Sequence, residues 1–182
     1  MIPMLTNKNF RIRHVEEKDL SELTQLNNDL DVRGEYLPCD LVSPQETRQQ
    51  FNENGMSTDN METLLIVSKD DKLLGTLWHF KSVPYFNARE IGYKLFDVKQ
   101  RGKGFVSEAV TLLTSYLFSS LQINRLEIRM DINNLASEKV ATKCGYKKEG
   151  TSFGASYVRG RHVDMHIYAM LREEWQASNQ VT

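Results

Sequence analysis

A strand that ends in a two-glycine turn and runs straight into the longest amphipathic stretch limits the fold of this chain more than any other feature. From Arg89 to Val98, Ile91, Tyr93 and Leu95 alternate with polar or small residues, the period of a strand with one buried face. Val98-Lys99-Gln100-Arg101-Gly102-Lys103-Gly104-Phe105 follows. Gly104 to Leu121 then carries Val106, Ala109, Val110, Leu113, Tyr116, Leu117 and Leu121 at a period of about 3.6 residues. Such a stripe has to bury itself against a sheet, which makes this a layered chain.

The remaining segments fill in the layers. Phe10 to Arg13 reads as a short strand, and Glu16 to Leu30 as a helix with Leu20, Leu23, Leu26 and Leu30 on one face. Ser43-Pro44-Gln45-Glu46 has capping-box spacing with proline at the first helical position, so a second helix begins there. Two apolar runs within Thr63 to Lys81 flank Ser68-Lys69-Asp70-Asp71-Lys72, the pattern of an antiparallel hairpin. Leu126 to Met130 alternates as a strand, and Leu135 to Cys144 reads as a helix stopped by Gly145 in a left-handed cap. Thr151 to Val158 and His162 to Leu171 read as closing strands. The order predicts an α+β fold, a mixed sheet with helices on its faces.

No repeat, low-complexity stretch or linker divides the 182 residues, so a single domain over 1–182 is expected. A formal net charge of -1 provides no basic field for a polyanion, and nucleic acid is excluded as the expected partner. There is no apolar run long enough for a membrane span and no signal-peptide pattern at the start, which predicts a cytoplasmic protein without a membrane partner. Cys39 and Cys144 have no C-x-x-C spacing and are expected to be reduced and structural, with no metal site.

Two closely spaced glycines let backbone N–H groups approach a ligand, and the helix that follows aims its positive end at the same place. Such a turn suits a pyrophosphate, with Arg101 and Lys103 adding charge. The plainer reading is a glycine-containing turn with solvated basic residues. A Walker loop occurs nowhere in the chain, and a dinucleotide fingerprint needs Gly or Ala where Ser107 stands.

Gln100-Arg101-Gly102-Lys103-Gly104, then Asn134-Leu135-Ala136-Ser137, then Lys143-Cys144-Gly145-Tyr146-Lys147-Lys148-Glu149-Gly150 resemble the GNAT superfamily of N-acetyltransferases. Glu90-Ile91-Gly92-Tyr93-Lys94-Leu95, the Gly160, Asp164, Tyr168 spacing and Glu174-Trp175 are similar to its RimJ/RimL-like branch, so the resemblance spans about Leu5 to Trp175. It implies a mostly antiparallel sheet whose central strands, Glu90 to Val98 and Leu126 to Ile132, splay apart to admit acetyl-coenzyme A as co-substrate. Gln100, Arg101, Gly102, Lys103, Gly104 and Phe105 are implied to cradle the pyrophosphate. The edge from Phe96 to Val98 is implied to pair with the pantetheine arm, and Asn134 to bond its amides.

Ser137 matches a serine placed near the thioester sulfur in that branch, where a hydroxyl donor stabilises the departing thiolate. It reads equally as a first-turn serine satisfying helix N–H groups, and Asn134 as a helix N-cap. The tyrosine acid of many GNAT enzymes falls on Ala141, and the late glutamate of the ribosomal-protein enzymes falls on Ser156. Glu90 is then the candidate base, acting directly or through water, or a structurally paired carboxylate; Tyr157, His162 and His166 are outside options.

The partner is an amine acceptor. At pH 7 an α-amine is about a tenth neutral, against about one molecule in 2,500 for a lysine amine, so a weak base favours a protein or peptide N-terminus. Asp29, Asp31, Glu35 and Asp40 in the acceptor region instead suit a polyamine or aminoglycoside, or form a solvated face. A non-catalytic acyl-coenzyme A sensor would need neither Ser137 nor Glu90. A homodimer is compatible with this reading and not required by it.

Overall fold

The structure, a computed structural model, describes residues 5–179. Among the described residues eight strands form one sheet: β1 Leu5–Thr6, β2 Phe10–His14, β3 Met61–Ser68, β4 Leu73–Phe80, β5 Ala88–Leu95, β6 Arg125–Asp131, β7 Lys147–Val158 and β8 Arg161–Leu171. Their order is β1-β2-β3-β4-β5-β6-β8-β7, and every neighbouring pair is antiparallel except β5 and β6. The helices are α1 Leu20–Asn28, α2 Leu30–Arg33, α3 Pro44–Asn54, α4 Phe105–Ser120, α5 Leu135–Lys143 and α6 Arg172–Asn179.

The apolar run of β3 explains the layering. Leu64 and Ile66 join a cluster with Leu77, Ile91, Leu126, Ile128, the α4 stripe and Ala141, while Leu65 and Val67 join Leu20, Leu23 and Phe96 beneath α1. Successive side chains of a strand point to opposite faces, so a strand buried on both sides is apolar throughout instead of alternating.

The expected splay is present and has a defined origin. β5 and β6 pair only through Ala88/Arg125, Arg89/Leu126 and Glu90/Glu127, and beyond Glu90 the two strands share no ladder. A gap therefore opens between their C-terminal halves, directly before the glycine turn.

Four expectations are corrected. The helix expected to reach Leu30 ends at Asn28, because the Asp29 carboxylate accepts from the N–H groups of Asp31 and Val32 and starts α2, leaving Leu30 exposed. Pro44 opens α3 as predicted, but the Ser43 side chain makes no cap bond. The strand expected to extend to Val98 stops at Leu95; Val98–Gln100 form a 3-10 turn, with Asp97 accepting from the Lys99 and Gln100 N–H groups. The strand expected from Thr151 begins at Lys147. Gly145 stops α5 in a left-handed conformation, as expected, at φ +87°.

Candidate functional site

Hydrogen-bond parity along β5 decides which backbone groups face the gap. The Phe96 N–H donates to Leu74 O at 2.8 Å, continuing an unbroken register with β4 in which residues alternate between facing β4 and facing away. Gly92, Lys94 and Phe96 thus spend their N–H and C=O groups on β4, and those of Tyr93 and Leu95 point toward the gap. Of the edge expected at Phe96 to Val98, Phe96 is buried under α1 and Val98 lies in the 3-10 turn, so the open edge sits upstream.

The turn has the conformation that its glycines permit. Gly102 and Gly104 adopt φ of +76° and +87°, and Gly104 is the N-cap of α4. The first helical bond runs from Glu108 N–H to Gly104 O, which leaves the N–H groups of Phe105, Val106 and Ser107 outside the ladder at the positive end of the helix. Lys103 Nζ donates to Gln100 Oε1 at 3.1 Å. Lys143, in the last turn of α5, brings its Nζ to 3.6 Å from where a Cβ on Gly104 would lie. Local sequence reading missed this cation, whose placement comes from the packing of α5 against α4.

At the other end of the gap the roles of Asn134 and Ser137 separate. Asn134 Oδ1 accepts from the Ser137 N–H at 3.1 Å and caps α5. Ser137, only 9% exposed, pairs its Oγ with the Tyr93 hydroxyl at 2.7 Å; the same hydroxyl lies 3.2 Å from Ser137 O. Burial pushes the Tyr93 phenol well above its ordinary range, against a smaller lowering by Ser137. A tyrosine thus reaches the site from β5, although Ala141, the position at which the resemblance would have placed one, is fully buried. The signal was the parity of Ile91 and Tyr93, which share a face.

Glu90 lies on the opposite face of β5, with Gly92 and Lys94. Trp78 covers Gly92 so closely that an added Cβ would stand 2.1 Å from the ring, which accounts for the glycine. Burial raises the Glu90 pKa; Arg129, whose Nε lies 3.4 Å from Glu90 Oε2, opposes the rise, and Glu127 adds to it. Arg129 and Arg125 also bind the buried Glu127, so Glu90 belongs to a carboxylate–guanidinium network and is not an isolated base.

The outside options are engaged elsewhere. The Tyr157 and His162 rings contact each other on the β7–β8 hairpin, and His166 bonds Thr151 and Lys148. Cys144 Sγ donates to Ser107 O, and burial pushes its thiol up; Cys39 is exposed, and no metal-binding cluster exists among the described residues. No helix among the described residues is long and apolar enough to cross a membrane.

Cations, not only the expected carboxylates, surround α2. Lys94 Nζ donates to Asn27 Oδ1 at 2.6 Å, and burial with some help from Arg33 brings its pKa down to about 8. Arg159 donates to Gly34 O at 2.9 Å, and Arg33 to Asp40 O. Among the described residues none of these cations has a carboxylate within 4.0 Å.

The sequence model of the acetyltransferase (GNAT) domain matches residues 9–147. The chain belongs to the GNAT acetyltransferase family. The N-acetyltransferase p20 of Bacillus licheniformis is 30% identical over 94% of this chain and 97% of its own. The ribosomal-protein-serine acetyltransferase of Escherichia coli is 27% identical over 74% of this chain and 75% of its own. In fold, the chain is similar to the spermidine N-acetyltransferase of Vibrio cholerae solved with coenzyme A and spermine, at a TM-score of 0.81 and 18% identity over 93% of this chain and 99% of that one. This GNAT protein is an N-acetyltransferase that uses acetyl-coenzyme A, and its gap, glycine turn and free helix N–H groups fit a thioester arm and its pyrophosphate.

Proposed function

We propose that the acceptor is the α-amine of a protein or peptide N-terminus, acetylated by direct attack within a ternary complex. The observation that carries this reading is Lys94, a buried cation on the Glu90 face of β5 that feels the charge of Arg33 and has no carboxylate partner among the described residues. A polyamine brings several positive charges toward that face; a peptide brings one amine, about a tenth of it already neutral at pH 7. Glu90, directly or through water, takes the proton that the amine loses as its lone pair attacks the thioester carbonyl. The C–S bond then breaks with its electron pair on sulfur, where the Ser137 hydroxyl donates to the thiolate. Backbone N–H groups of the glycine turn and of Phe105, Val106 and Ser107 hold the pyrophosphate, with Arg101, Lys103 and Lys143 around them.

A polyamine acceptor is the second reading, favoured by the exposed Asp31, Glu35 and Asp40. Initial rates with acetyl-coenzyme A and four acceptors decide between them: a peptide with a free N-terminal serine, its N-blocked lysine-containing analogue, spermidine and an aminoglycoside. The free peptide is expected to show the highest kcat/KM, and Lys94→Met to improve spermidine selectively. Faster turnover of spermidine by the unaltered protein would overturn the reading, and turnover of no amine would favour the sensor.

A further inference from the structure

We infer that Tyr93 is a positioning residue that orients the Ser137 hydroxyl, so that its single proton points at the leaving sulfur. The inference rests on acetyl-coenzyme A occupying the gap between β5 and β6. It starts from counting protons. A serine hydroxyl has one proton to donate, and a Ser137 that donated it to Tyr93 would have none left for a thiolate.

The acceptors within reach of Tyr93 point to one direction. Tyr93 has two acceptors within reach, Ser137 Oγ at 2.7 Å and Ser137 O at 3.2 Å. The first is the normal length of an O–H···O bond and the second lies beyond it. Ser137 O also belongs to the α5 ladder, whereas the only described partner of Ser137 Oγ is Tyr93. Tyr93 therefore donates to Oγ, and the serine proton is free for the gap.

Tyr93 holds this arrangement firmly. Its ring packs against the cluster beneath α4, and its hydroxyl, kept protonated by burial, does not lose the proton it donates. The same raised pKa argues against Tyr93 as the acid itself: a coenzyme thiolate is a far weaker base than the Tyr93 phenolate would be, so proton transfer through Ser137 to sulfur would run uphill. When the C–S bond breaks, the electron pair stays on sulfur, Ser137 donates a hydrogen bond to it, and the thiolate takes its proton from solvent on release. Tyr93 thus contributes by fixing a rotor, not by supplying a proton.

The decisive experiment needs no acceptor. The ionisation of the bound coenzyme A thiol is followed by thiolate absorbance in the unaltered protein, Tyr93→Phe, Ser137→Ala and the double variant. The bound thiol is expected to ionise at lower pH than the thiol of free coenzyme A measured in the same buffer. Each single substitution should return it upward by about half a pH unit or more, and the second substitution should add nothing. With the acceptor that turns over best, both single variants should lose about tenfold or more in kcat while the acetyl-coenzyme A Kd stays within about threefold.

A folded Tyr93→Phe whose bound thiol ionises as in the unaltered protein would overturn the inference. So would kcat losses that simply multiply in the double variant. Should Tyr93→Phe fail to fold, Ser137→Ala decides alone, because an unshifted thiol there removes the hydroxyl that Tyr93 is said to orient. Failure of coenzyme A to bind at all would instead remove the acetyl-coenzyme A reading beneath it.

Discussion

Gly104→Val separates the ligand-binding purpose of the glycine turn from its contribution to folding. Gly104 sits at φ +87°, a region that costs an L-residue about 1–2 kcal/mol. Around it there is room: an added Cβ would meet Lys143 Nζ at 3.6 Å and Glu108 Oε1 at 3.9 Å, both ends of flexible side chains. The folding penalty is therefore backbone strain, equivalent to a melting shift of about 2–8 °C for a chain of this size. A branched side chain here stands in front of the N–H groups of Phe105, Val106 and Ser107. Losing two charge-assisted bonds to a pyrophosphate, at about 1.5–3 kcal/mol each, weakens binding by roughly a hundredfold to ten-thousandfold. Gly55→Val is the control, because Gly55 also has positive φ, at +63°, with nothing within 4 Å and a place at the end of α3. Calorimetric titration with acetyl-coenzyme A, alongside thermal unfolding, should show both variants losing stability and only Gly104→Val losing binding. A folded Gly104→Val whose Kd stays within about threefold would refute the phosphate role of the turn.

Glu90, raised by burial, should make kcat/KM climb with pH through a pKa above the usual carboxylate range, and Glu90→Gln should remove that limb and cost about a hundredfold in rate. The folded state holds the Glu90 proton more tightly than the unfolded one, so this carboxyl favours folding at acid pH and its contribution fades as pH rises; an unchanged profile in Glu90→Gln would clear it of the base role. Arg13 and Asp19 form a two-pronged pair at 2.6 and 3.0 Å, both almost fully buried, and Asp19→Ala should cost about 3 kcal/mol in urea unfolding because the guanidinium stays buried. Burial pushes the Asp19 carboxyl up, but Arg13 and the Glu16 N–H outweigh it and hold it low; its stabilisation is therefore complete above about pH 4 and lost as pH falls further, a loss that Asp19→Ala should not show.

What was legible in the chain is what local chemistry decides. The β3–β4 hairpin, the α4 stripe and the left-handed cap at Gly145 follow from residues adjacent in sequence or one turn apart. Two of the misread boundaries depended on a competing local bond. Asp29 captured two N–H groups and cut the first helix short, and Asp97 folded the end of the expected strand into a turn. The candidate site was legible as a set of residues but not as an arrangement, because Tyr93 and Ser137 lie 44 positions apart and meet only when α5 packs beside β5. One string, Glu90-Ile91-Gly92-Tyr93-Lys94-Leu95, shows why. Strand alternation assigns Glu90, Gly92 and Lys94 to one face and Ile91 and Tyr93 to the other, so six consecutive residues supply candidate groups to both faces of the sheet beside the gap. What each face meets depends on where α1 and α5 come to rest. The splay then turns that division into chemistry, since β6 leaves β5 just past Glu90 and opens the backbone edge of Tyr93 and Leu95 between the two faces.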